Sequence, residues 1–270
     1  MDFPEVRTQD KNNILSATHR CSTRQLCVAF LYKACSVSFR FSPFIMNSRM
    51  INTYIFFDLD GTLADNLSAM YQIYANFLSE FSLQATKAEF DSLNGPSLRE
   101  IVGILKKRYG LEPSEEELYQ MYEEKLADGY KTLIPPMPFA QEVLEHFAAQ
   151  KAVVVLVTSA PEPLAKSFLQ RMQWEGYFTA FVFGNEVQHS KPNPEIYQRA
   201  IEKIGSPQTR IFAVEDSPSG VKAAAAAGLH TIALAQHYTP EKLRESGAQH
   251  TIAHLQEIIP LLGIIAESAS

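Results

Sequence analysis

The sequence predicts an α/β fold: a parallel sheet with helices on both faces, interrupted near its start by an inserted block of helices. Three observations carry this reading. A short apolar run, residues 51–57, stops at an aspartate-rich glycine turn. Residues 66–133 then show helical periodicity only. After Pro135-Pro136-Met137-Pro138, strand-like and helix-like segments alternate towards the end. Alternation of that kind implies parallel strands joined by crossover helices.

The elements follow in order. Ile51-Asn-Thr-Tyr-Ile-Phe-Phe57 is apolar, β-branched and aromatic, and reads as a buried strand. Leu67, Met70, Tyr71, Tyr74, Phe77, Leu78 and Phe81 recur three and four apart and mark one helix face. Asn94-Gly95-Pro96 breaks the next stretch. Ser97 with Glu100, and Ser114 with Glu117, have the spacing of capping boxes. Beyond the prolines come a helix over 139–150, a strand over 152–157, a helix over 164–172 and a strand over 181–183. A helix over 193–204, a strand over 210–214, a helix over 219–227, a strand over 231–234 and a helix over 240–246 complete the pattern. Residues 51–65 and 135–270 thus form one α/β core, and 66–134 the helical insert.

Composition narrows the function. The 270 residues carry 24 Lys+Arg and 30 Asp+Glu, a net charge of −6. An acidic chain is not suited to general binding of nucleic-acid backbones. No apolar run approaches the ~18 residues that span a bilayer, so no membrane partner is expected. The average conceals a break near Met50. Residues 1–50 hold seven basic and three acidic residues and all three cysteines, so this leader carries +4 and the remainder −10. Between Lys11 and Met50 there are six basic residues, six serines and no acids, the bias of an organelle transit peptide. Asp2, Glu5 and Asp10 spoil that pattern. A start at Met46 or Met50 behind a dispensable or disordered extension is the simpler reading, and a separate N-terminal module a third. The body is expected in the cytoplasm, or in an organelle if the leader is a transit peptide.

Ligands of open α/β sheets bind at the carboxyl ends of the strands, and the polar residues here fall at those ends. The first strand delivers Asp58 and Asp60, the second Thr158 and Ser159, the fourth Glu215, Asp216 and Ser217. The loop after the third carries Ser190-Lys191-Pro192-Asn193-Pro194. Asp58 and Asp60 supply a nucleophile and an acid/base candidate two residues apart. Asp-Gly and Asp-Ser pairs also favour turns, so any one of these acids alone reads as a turn residue. Four acids gathered at predicted strand ends need a counter-charge. A hard divalent cation, Mg²⁺ most naturally, would supply it, with Lys191 as a further fixed charge.

The motifs Asp58-Leu-Asp60-Gly61-Thr62-Leu63, Val157-Thr158-Ser159, Ser190-Lys191-Pro192-x-Pro194-x-x-Tyr197 and Glu215-Asp216-Ser217-x-x-Gly220 resemble, in order, those of the haloacid-dehalogenase-like hydrolase superfamily. The fourth is similar to the phosphoglycolate phosphatase and β-phosphoglucomutase branch, and the insert resembles that superfamily's C1 cap. The resemblance implies a Rossmann-like core and hydrolysis of a small phosphorylated metabolite through a phospho-aspartate. It implies Asp58 as nucleophile and Asp60 as acid and base. Thr158, Ser159 and Lys191 would bind phosphate. Mg²⁺ would lie between Asp58, the Asp60 carbonyl, Asp216 and, directly or through water, Glu215. Asn66, Gly95 and Ser97 become candidate substrate contacts.

Relatives sort by residue type. Dehalogenases and phosphonatases lack the second aspartate, here Asp60. The mutases carry a histidine twelve residues after the nucleophile, where this chain has Met70. A phosphatase of phosphoglycolate, a sugar phosphate or a nucleoside monophosphate is therefore expected. A sugar-phosphate mutase and a non-catalytic phosphate sensor are the alternatives. Where relatives usually have Pro-Gly, this chain has Pro138-Phe139. His146, His189, His230, His237, His250 and His254 do not cluster and read as surface or packing residues, with His189 beside the lysine loop the one candidate contact.

Overall fold

The computed structural model describes residues 53–93, 98–205, 207 and 210–267, all within the compact unit Arg49–Ser270. The leader expected over residues 1–50, the candidate contacts Gly95 and Ser97, and the capping box expected at Ser97 lie outside the described residues.

The described residues open with β1 (Tyr54–Phe57) and pass into helices α1 (Leu67–Ser79), α2 (Lys87–Ser92), α3 (Leu98–Tyr109) and α4 (Glu115–Thr132). They then alternate through α5 (Ala140–Ala149), β2 (Val153–Val157), α6 (Glu162–Met172), β3 (Ala180–Val182), α7 (Glu195–Lys203), β4 (Ile211–Glu215), α8 (Pro218–Ala226) and β5 (His230–Leu234). They end in α9 (Pro240–Glu245), β6 (His250–Ile252) and α10 (Ile258–Glu267). The sheet order is β3-β2-β1-β4-β5-β6, and neighbouring strands run parallel. The first strand therefore lies in the middle, with the chain wound outward on either side of it. This opens a crevice at the carboxyl ends of β1 and β4, the topological switch point.

Side chains of the strands alternate between two apolar layers. Ile55, Phe57, Val154, Leu156, Val214, Ile232 and Leu234 pack with α5, α6 and α10 on one face. Phe56, Val155, Val157 and Ala213 pack with Ile196, Tyr197 and Ala200 of α7 and Ala223 and Ala224 of α8 on the other. The inserted helices bury a cluster of their own around Tyr74, Phe77, Leu105 and Leu118. Each fully buried side chain of this size contributes about 1.5–3 kcal/mol.

Local signals explain the helix starts. At α4, Ser114 Oγ accepts from Glu117 N at 3.2 Å, and Glu117 Oε2 accepts from Ser114 N at 2.8 Å, the expected capping box. At α8, Ser217 Oγ accepts from Gly220 N at 3.1 Å and Pro218 fills the first helical turn. Phe139, ahead of α5, has φ +67, a left-handed conformation that glycine adopts without cost. The departure from Pro-Gly thus keeps the helix start at the expense of local strain.

Two elements lie beyond the sequence reading, β6 and α10. The first is a three-residue edge strand in which only Ile252 is buried, so it shows no apolar run. No helix among the described residues is long and apolar enough to cross a membrane.

Candidate active site

The glycine turn after β1 builds the first half of the site. Asp58 N still pairs with Val214 O of β4 at 3.0 Å, so Asp58 extends the ladder. Leu59 O then accepts from the amides of Thr62, Leu63 and Ala64 at 3.2, 2.9 and 2.8 Å, which reverses the chain. Gly61 makes the turn with φ +86, and a Cβ there would overlap the Asp216 carboxylate. Glycine is required twice over, for its backbone angle and for this close approach.

Adjacent β4 supplies the other half. Lys191, on the loop between β3 and α7, places Nζ 2.6 Å from Asp58 Oδ1, 2.7 Å from Glu215 Oε1 and 3.2 Å from Val157 O. Tyr197 of α7 donates its hydroxyl to the same Glu215 oxygen. Gly220 leaves room for Glu215, because a Cβ would overlap that carboxylate. Carboxylate oxygens of Asp58, Glu215 and Asp216 lie within 4.8 Å of one another, all three residues buried. Asp216 makes no ion pair among the described residues.

The electrostatics follow from burial and crowding. Burial, then the Asp58 and Glu215 charges, push the Asp216 carboxyl well up, against the pull of Lys191. Burial also raises Glu215, opposed by Lys191. Burial disfavours the charged Lys191, but Asp58 and Glu215 outweigh it and hold the ammonium above its usual 10.5. One lysine thus faces three carboxylates, and the surplus negative charge fits a divalent cation bound by oxygen ligands. Asp60 is separate from this trio. Its Oδ1 accepts from Tyr130 Oη at 2.7 Å and Asn66 Nδ2 at 3.0 Å. Burial, then the Asp58 charge, raise its carboxyl to about 6, which suits proton exchange near neutrality.

Asp58, Asp60, Asn66, Ser159, Lys191 and Asp216 line one cavity of about 720 Å³. Thr158 does not line it. Its side chain is fully buried and Oγ1 accepts from Ala160 N at 3.0 Å. His189 also lies outside it, exposed, with Nδ1 2.8 Å from Glu195 Oε2. Lys87 and Asp91 of α2, and Gln236, His237 and Tyr238 after β5, also line the cavity; His237 is thus a cavity residue and not the surface or packing residue expected from the sequence. The strand-end rule applied to β5 would have found the last three. Nothing in the spacing marks Lys87, Asp91 or Tyr130.

The doubly wound sheet thus carries an acidic cavity at its switch point. The chain belongs to the haloacid dehalogenase-like hydrolase family, whose family model matches residues 55–234. It is 30% identical over 178 residues to a phosphorylated carbohydrates phosphatase of Thermotoga maritima, covering 66% of this chain and 82% of that one. It is 26% identical over 231 residues to a phosphoglycolate phosphatase of Shigella boydii, covering 77% and 91%. A Thermotoga maritima crystal structure provisionally named a beta-phosphoglucomutase superposes with a TM-score of 0.72 at 27% identity, covering 79% of this chain and 99% of that one. The chain is thus a phosphatase enzyme.

Proposed function

We propose that the chain hydrolyses a small phosphate monoester, with a sugar phosphate the first candidate and phosphoglycolate or a nucleoside monophosphate behind it. The observation that carries this is Asp58 held by Lys191 in the same cavity as Asp60. Asp58 attacks phosphorus in line, and the bond to the leaving oxygen breaks as Asp60 gives that oxygen a proton. Asp60 then takes a proton from the water that attacks the phospho-aspartate, which releases inorganic phosphate and frees Asp58. Lys191 orients Asp58 and would add positive charge to the phosphoryl group, and Ser159, which lines the same cavity, would bind a phosphoryl oxygen. Thr158 acts by bracing the Ser159–Ala160 turn through its bond to Ala160 N.

Asp58, Asp216 and Glu215 would hold Mg²⁺, with the Asp60 carbonyl a further candidate. When bound, the ion would neutralise charge on the phosphoryl oxygens. Residues 66–134 would serve as a cap that closes the cavity against water.

A sugar phosphate is favoured by two features. The first relative above is named for phosphorylated carbohydrates, and Lys87, Asp91, Gln236, His237 and Tyr238 offer polar groups to a polyhydroxylated substrate. Mutase chemistry is disfavoured because position 70 is a methionine packed on apolar clusters. The test is phosphate release from a panel of monoesters with Mg²⁺, by the wild type and by Asp58→Asn. The variant should fall to background. Undiminished turnover would remove Asp58 as nucleophile.

A further inference from the structure

Asp60 is gripped by a residue outside every motif. Tyr130 stands in the last turn of α4 and is 4% exposed. Its hydroxyl and the Asn66 amide both donate to Asp60 Oδ1, at 2.7 and 3.0 Å. A carboxylate oxygen has two lone pairs, and two donors occupy both on Oδ1.

The local fold explains how Tyr130 reaches so far. A Cβ on Gly129 would overlap the Ile73 side chain, so α4 lies directly on α1 at this level. Leu133 N and Ile134 N both bond to Gly129 O, at 2.8 and 3.1 Å, and end the helix just past Tyr130. The segments entering and leaving the helical insert are then tied together. Asp65 N donates to Pro135 O at 2.9 Å and Met137 N to Leu63 O at 2.8 Å. Asn66 stands on the entering segment and Tyr130 just before the leaving one. The two donors on Asp60 thus come one from each crossing between the insert and the sheet.

We propose that Tyr130 is a positioning residue for the reaction: with Asn66 it saturates Asp60 Oδ1, so that Oδ2 carries the proton delivered to the leaving oxygen. This rests on the acid/base role proposed for Asp60. In the step, the Oδ2–H bond breaks and a new O–H bond forms on the leaving oxygen. The P–O bond to that oxygen breaks while the Asp58 O–P bond forms. The negative charge that develops on Asp60 is the charge Tyr130 and Asn66 stabilise as donors.

The test varies the leaving group. Substituted phenyl phosphates, from 4-nitrophenyl to unsubstituted phenyl, and an alkyl phosphate are compared by kcat/KM, which reports the first chemical step. A leaving group that departs easily needs little proton donation. Tyr130→Phe keeps the ring and removes the donor. It should lower kcat/KM roughly tenfold for the alkyl ester, the factor expected for one hydrogen bond to a charged group, and about twofold or less for 4-nitrophenyl phosphate. Asn66→Ala removes the second donor without touching α4, and should steepen the same plot if Tyr130→Phe does not fold. Equal losses across the series, or none, in both variants would overturn the proposal. Asp60→Asn separates the two readings. If it leaves alkyl phosphate turnover intact, the acid/base reading falls. If it steepens the plot while Tyr130→Phe and Asn66→Ala do not, the positioning role alone falls.

Discussion

Lys191→Met replaces a buried cation by a neutral side chain of similar length. The lysine side chain is 6% exposed, and its carboxylate partners Asp58 and Glu215 are 8% and 1% exposed. Removing one member of a buried ion pair costs about 3–5 kcal/mol, because the other charge stays behind without compensation. Two carboxylates share this lysine, which places the variant at the upper end. A fold of this size loses roughly 2–4 °C of Tm per kcal/mol, so the drop at neutral pH is roughly 10–20 °C. Calorimetric melting with a chelator present reads it without interference from divalent cations. The pH dependence has a definite sign. Lys191 is held above 10.5, so its contribution is complete at every pH below that value. Glu215 is already raised by burial, and without the lysine it takes up a proton more readily. The gap between wild type and variant should therefore narrow as pH falls. A Tm within a degree of wild type at neutral pH, and a gap flat in pH, would refute the charge-balance argument.

Glu89 accepts from Tyr74 Oη at 2.5 Å, Tyr109 Oη at 2.7 Å, and Arg108. Burial raises its carboxyl, but these donors outweigh it and hold it below the usual 4.5. Its stabilisation is complete above pH 4.5 and is lost as pH falls through the lowered value, so Glu89→Gln should cost about 1–3 kcal/mol at neutral pH and progressively less in acid, read by chemical denaturation across pH. Gly61→Ala combines a left-handed backbone with overlap of Asp216, whereas Gly110→Ala, at φ +61 with nothing within 4 Å of a Cβ, meets the backbone penalty alone. Gly110→Ala should lose about 1–2 kcal/mol with normal turnover, and Gly61→Ala should lose more stability and most of its turnover.

The legible part of this protein is the part written as strand ends. Asp58, Asp60, Lys191, Glu215 and Asp216 could be placed near one another because each follows a recognisable apolar strand or lies on a strand-to-helix loop. Buried parallel strands announce themselves as continuous apolar runs, so the sheet and its carboxyl edge could be read together. What escaped depends on distances between elements. Tyr130 reaches Asp60 because Gly129 lets α4 settle on α1, and a glycine inside a helix does not state what it faces. Lys87 and Asp91 are an ordinary i,i+4 pair, bonded at 2.5 Å, until α2 is seated over the cavity. Thr158 stood at the right strand end, but its hydroxyl turned inward to Ala160 N, a choice of rotamer that spacing does not encode.

The central position of β1 has a consequence for how the chain is made. Tyr54 pairs with Val153 on one side and with Ile211 on the other, so β1 waits for partners roughly 100 and 150 residues downstream. At about 5–20 residues per second on the ribosome, both its edges stay open for many seconds, as an apolar template for wrong pairings. The helices of the insert, which bury a cluster of their own, can form during that interval. Asp58 therefore meets Glu215 and Asp216 only when β4 arrives, and the assembly of the acidic cluster coincides with closure of the sheet.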